Sequence, residues 1–146
     1  MTRTLLLFTC LGYETIGCYR DTSNRAIEPL EGKDSILDGA YWTRKNPIAK
    51  CAQAARRAGY GMFAVQHSGW CAASAIAPKT FDKYGKSTAC GSDGEGGPWA
   101  NQVYVIKGKL KYLPCDKEDL NNICYFQNDL VHCRQNDVNE IGRAHV

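Results

Sequence analysis

With 146 residues the chain is sized for one domain plus at most a short appendage, and it can bury only a modest core. Its net charge of +3 is too mild to point to nucleic acid, and no stretch approaches the ~18 consecutive apolar residues of a transmembrane helix. Eight cysteines with three histidines and no C-x-x-C pair do not have zinc-ligand spacing; they favour disulfides and therefore an oxidising compartment.

Residues 1–12 carry one positive charge at Arg3 and an apolar run through Leu5, Leu6, Leu7 and Phe8 that ends on Gly12. This is the pattern of a short, truncated secretory signal. Cleavage near Gly12 would remove Cys10 and leave seven cysteines; the alternative is a buried first strand. Residues 13–19 are the first strand candidate of the main domain. The connection that follows, 21–45, is expected to be a long ordered surface loop that needs disulfides to hold it.

The clearest element is a helix over 46–59. Asn46 suits the N-cap, Pro47 the first helical position and Gly59 the left-handed residue past the end. Ile48, Cys51, Ala52 and Ala55 fall on one face at i, i+3, i+4 and i+7, with Lys50, Gln53, Arg56 and Arg57 around the rest. A strand over 61–66 follows, with Phe63 and Val65 on one side, then a tight turn at His67, Ser68 and Gly69 and a second strand over 69–72. A further loop, 73–97, leads to a strand over 102–106.

The junction before that last strand is the best functional clue. Gly91-Ser92-Asp93-Gly94-Glu95-Gly96-Gly97 is a glycine-rich acidic loop, closed by Pro98, Trp99, Ala100 and Asn101. Glycines let backbone come close to a ligand, and Trp99 adds a flat apolar platform with one donor. Beyond it, Lys107, Lys109 and Lys111 alternate as a solubilising edge. Cys115, Cys124 and Cys133 then recur every nine residues, around a segment over 116–123 with the pattern of a short helix. An odd cysteine there leaves an oligomer through an unpaired thiol open. The tail, 137–146, is polar.

The reading is an α+β fold: a small disulfide-stapled domain with one main helix packed on a short-stranded antiparallel sheet and long ordered loops. Its divisions are 1–12, a domain over 13–106, and a cysteine-containing extension over 107–146. Cys51 on the helix and Cys71 on the hairpin suggest a staple worth about 3 kcal/mol for a loop of about 20 residues. Cys18 and Cys90 would then link the first strand to the glycine loop, although sequence alone permits three pairings of these four cysteines.

Gly17-Cys18-Tyr19-Arg20-Asp21, the cysteine-bearing helix through Lys50, Cys51, Ala52, Gln53, Ala54 and Ala55, the run from Gly59 to Gln66, and Gly69-Trp70-Cys71 together resemble the WSC domain and, more distantly, PAN/apple modules. The resemblance covers 13–106. It departs at Cys71-Ala72-Ala73-Ser74, where WSC domains carry a second cysteine, so the chain looks like a four-cysteine relative. Such domains are extracellular, and the resemblance implies a glycan or glycoprotein partner.

Trp99 and Trp70 are candidates to stack on a sugar ring, with Asn101, Asp93, Glu95, Tyr104 and Gln66 supplying polar contacts. For both tryptophans the alternative is a place in the core. Asp93 and Glu95 also raise calcium binding, but the spacing is not that of an EF-hand, and the expectation is no metal and no cofactor. They are also too close in sequence for a glycosidase pair. His67 beside Ser68, His132 beside Cys133 and His145 do not make a catalytic arrangement, so no enzyme is expected. The expected function is a secreted carbohydrate-binding module. The alternative is an extracellular structural or protein-interaction module with a matrix-protein partner, which a buried Trp99 with an apolar patch elsewhere would favour.

Overall fold

A computed structural model describes residues 10–110, 123–127 and 130–134. They divide into two compact units, one of Thr15–Ile106 and one of residues 10–14 with residues from 107 onward. The strands of the first unit belong to β1 (Cys10–Arg20), β2 (Met62–Gln66), β3 (Trp70–Ala73) and β4 (Ala100–Leu110). They form a four-stranded antiparallel sheet in the order β3-β2-β4-β1.

The main helix, α1 (Pro47–Arg57), begins and ends where its sequence signals stand. Pro47 opens it, and Gly59 adopts φ 83° just beyond its end. The Gly59 and Tyr60 amides return to the Arg56 and Ala55 carbonyls, both at 2.9 Å, which completes a Schellman cap. The start differs from expectation in one respect: Asn46 is left-handed (φ 50°, ψ 52°) and its side chain does not cap the helix. The buried face is also wider than the periodicity implies. Cys51, Ala52 and Ala55 are buried, but so are Ala49, Ala54 and Gln53, while Ile48 is only partly covered.

Strand alternation gives the sheet two different faces. Phe63, Val65, Cys71, Ala73 and Tyr104 share the face that carries the link to α1, where Cys51 and Cys71 are bridged with Cα atoms 5.4 Å apart. Met62, Ala64, Ala72 and Val103 share the other, packed with Ile27, Ala77, Tyr19 and Phe81. A single turn, α2 (Ala77–Thr80), sits on this second face. The second bridge, Cys18–Cys90, spans 72 residues of sequence, enough for about 4 kcal/mol of loop-closure stabilisation. Both bridges are the pairs expected from the sequence.

The connection over 21–45 is more than a surface loop. Ala26, Ile27, Leu30 and Leu37 are buried, and the backbone at Pro29 pairs with Ala72 along the outer edge of β3. The Leu30 amide donates to Cys71 O and the Ala73 amide to Glu28 O, both at 2.9 Å. This covers an edge that would otherwise expose unpaired amides. Its anchor is ionic rather than a disulfide. Arg44, with its side chain almost wholly buried, grips Glu31 through two nitrogens at 2.7 and 2.8 Å and also donates to Gly69 O and Leu37 O. Glu31 in turn accepts the Cys71 amide at 2.9 Å.

In the second unit, β5 (Ile123–Gln127) and β6 (Leu130–Arg134) form an antiparallel hairpin with Cys124 opposite Cys133, and Leu11 pairs in parallel with Ile123. Lys107 meets Glu14 at 3.0 Å with both side chains well exposed, a geometry of little energetic weight. Residues 1–9 of the expected signal segment over 1–12, Lys111, Cys115, the expected short helix up to residue 122 and the tail over 137–146 lie outside the described residues.

Candidate functional site

The site begins at the β2–β3 turn. Gly69 N donates to Gln66 O at 3.3 Å, and the two residues between, His67 and Ser68, both have positive φ (48° and 78°). Two successive positive φ angles belong to a type I′ turn, which normally uses Asn-Gly. Here the glycine stands one residue later, because a Cβ at Gly69 would overlap the Tyr41 carbonyl oxygen. Tyr41 is thereby held close to the turn, its ring edge-on to His67 with centroids 6.3 Å apart. The strain at His67 and Ser68 fixes a rim of the site.

A second strained position faces this rim. Residues 97–100 form a tight turn in which Ala100 N donates to Gly97 O at 3.1 Å, with Pro98 and Trp99 at its centre. Trp99 has φ 52°, where such a turn usually takes glycine or asparagine. Trp99 is 54% exposed. The glycines before it allow close approach, but to the protein's own backbone: a Cβ at Gly96 would overlap Val65 O, and one at Gly97 would overlap Ala89 O. Trp99 O accepts the Asp21 amide at 2.9 Å and Glu95 O the Ser68 amide at 3.2 Å, so the loop is tied to both neighbours.

Between the two rims lies Arg25. Its Cζ sits over the Trp70 ring at 4.2 Å and over the Trp99 ring at 4.9 Å. Its Nη1 donates to Asp21 Oδ2 at 2.9 Å, and the Asp21 side chain is fully buried. Asp21 also accepts from the Ala26 amide at 2.9 Å and from Gln66 Nε2 at 3.2 Å. The cation is therefore held by two π faces and one carboxylate, and it holds Trp99 in turn.

Of the residues singled out in the sequence, the fold brings Trp99, Trp70 and Gln66 together. With Arg25, Tyr41 and His67 they line one open groove of about 390 Å³. Asn101 is directly opposite Gln66 in the strand register but fully buried, outside the groove lining. Tyr104 belongs to the α1 face, stacked on Phe63 at 5.0 Å with its hydroxyl donating to Gly94 O at 2.6 Å. Asp93 caps its own loop by accepting the Glu95 amide at 2.9 Å. Glu95 is half-buried, and its pKa is raised, first by burial and then by the neighbouring Asp93 charge. Among the described residues, no three His, Cys, Asp or Glu side chains are grouped as metal ligands.

Sequence reasoning missed Arg25 and Tyr41, and weighed His67 only as a catalytic residue. Asp21 and Arg25, four apart just after the first strand, were the available signal for a fixed cation. Nothing local marked Tyr41. The groove offers flat apolar faces, amide and guanidinium donors, and, among the described residues, no carboxylate in its lining. That is the chemistry of recognition. No family model, no curated protein and no solved structure matches this chain.

Proposed function

We propose that the chain is a secreted, non-catalytic carbohydrate-binding module that takes a sugar into the groove between Trp99 and the His67 rim. The observation that carries this is the exposed Trp99 ring, held at a strained backbone position beside donors. Stacking needs a flat face that is fixed before the ligand arrives, and a side chain kept in place by Arg25 and a tight turn loses little entropy on binding. The two disulfides agree with an oxidising, extracellular setting, and among the described residues no helix is long and apolar enough to cross a membrane. The WSC-like resemblance supports the same reading. Exposed Trp42 and Ile76 favour a second reading, a protein-interaction module.

A glycan-array screen of the intact protein against Trp99→Ala tests the proposal. The expected result is binding to a defined glycan set that the variant loses. No glycan bound, or binding unchanged in the variant, would overturn it.

A further inference from the structure

The groove's polar chemistry is one-sided. Among the described residues its lining includes two basic side chains, Arg25 and His67, and no acid, because the carboxylate beside Arg25, that of Asp21, is fully buried. Arg25 keeps 28% of its side chain exposed. Asp21 is its only hydrogen-bond partner among the described residues, and that bond uses Nη1. With indole rings against the guanidinium and one nitrogen tied down, what remains for a ligand is the N–H edge. A planar N–H edge matches a carboxylate through paired hydrogen bonds, and a guanidinium fixed in advance forms them at low entropic cost.

Neutral sugars do not need this arrangement. A stacking ring and a few amide groups suffice for hydroxyls, whereas a fixed guanidinium between two tryptophans is a costly feature for a site that meets no charge. Gln66 supplies a further indication. It is almost fully buried at the groove, and its Nε2 is committed to Asp21. Gln66 and the Ala26 amide thus share the Asp21 charge with Arg25, so the carboxylate does not depend on the guanidinium alone.

We infer that the groove selects a carboxylated sugar, a uronic or sialic acid, whose ring lies on Trp99 and whose carboxylate is met by the N–H edge of Arg25. The inference rests on the carbohydrate-binding reading above and adds the ligand's charge to it.

The test uses the unaltered, disulfide-bonded protein and two matched pairs of probes, in calorimetric titrations at physiological salt. One pair is trigalacturonic acid and its carboxyl-reduced product; the other is sialyllactose and lactose. One acid should bind about tenfold or more tighter than its neutral partner, as a charge-assisted pair implies. In an Asp21→Asn, Arg25→Gln double variant, which leaves no buried charge unpaired, that preference should fall to about one; a thermal melt checks that the variant folds.

Equal binding of acid and neutral partner in both pairs, binding to neither acid, or a preference that survives in the folded double variant would each overturn the inference. If the double variant does not fold, the comparison of acid with neutral sugar on the unaltered protein decides alone. The carbohydrate reading fails separately, on a blank glycan array or one unchanged by Trp99→Ala.

Discussion

The two faces of the main sheet are built from the same strands, yet they do opposite things. Under α1 the alternate residues Phe63, Val65, Cys71 and Tyr104 make a closed surface, fastened by the Cys51–Cys71 bridge. On the other face the run Met62, Ala64, Gln66 begins apolar and ends polar, opposite Val105, Val103 and Asn101. The change comes within a single strand, at the end where the tight turn and the glycine loop converge. Stability is concentrated on the face that α1 covers, and recognition where the last pair of the other face, Gln66 and Asn101, turns polar. Positive φ at His67, Ser68 and Trp99 falls at that same end, on residues that have a Cβ.

The largest predicted effect tests the closed face. Phe63→Ala removes a fully buried ring that stacks on Tyr104, and should cost about 3–5 kcal/mol in urea unfolding. Glycan binding at temperatures where the variant stays folded should be near that of the parent chain. A variant that folds but loses binding would mean that the two faces are not separable.

Arg44→Ala comes next, at about 3 kcal/mol, because it strands the Glu31 carboxylate and leaves the Gly69 and Leu37 carbonyls without their donor. Unlike Phe63→Ala it should also weaken binding, since Arg44 fixes the segment that places Tyr41 against the turn. Urea unfolding and titration on the same preparation check both halves. Unchanged binding would show that the Tyr41 rim is dispensable.

The contrast between these residues explains what could be read from the sequence. The ends of α1 and the hairpin strands were legible because each has a local signature: Pro47 and Gly59 bracket the helix, and Phe63 and Val65 alternate. The disulfide pairs were one choice among three, made because Cys51 and Cys71 fall on those two elements. Trp99 beside a glycine loop was legible as a candidate for stacking, with a place in the core left open. Arg25, Tyr41 and Arg44 were not, because their roles come from partners distant in sequence: Arg44 meets Gly69 and Arg25 meets Trp99 only after folding. Tyr104 and Asn101 were read as site residues because they follow Trp99, but alternation sends Tyr104 to the α1 face and the register buries Asn101 against Gln66. The acidic loop misled in a related way, since Gly96 and Gly97 allow close approach to the protein's own backbone, at Val65 O and Ala89 O.

Smaller effects separate strain from stacking at Trp99. Trp99→Ala keeps the left-handed backbone and loses the ring over Arg25, for about 1 kcal/mol or less. Trp99→Gly loses the same ring but relieves the backbone, so it should be the more stable of the two by about 1 kcal/mol while being equally deficient in binding. If the glycine variant were the less stable, the φ of 52° would not be a strained position.

The smallest effect concerns Glu95, which holds the loop to Ser68 through its backbone while its side chain is half-buried beside Asp93. Its pKa is raised in the folded chain, by burial first and by Asp93 second, so the ionised form is less favourable folded than unfolded. Glu95→Gln removes that penalty and should raise the melting temperature slightly at neutral pH. As the pH falls through the raised folded pKa, native Glu95 takes up its proton before the unfolded chain does, and the parent protein regains the difference. The gain from Glu95→Gln should therefore shrink on acidification and vanish below the ordinary carboxylate range. Melting curves of both proteins from neutral to acidic pH measure it. A gain that grew with acid would mean that the Glu95 charge stabilises the loop.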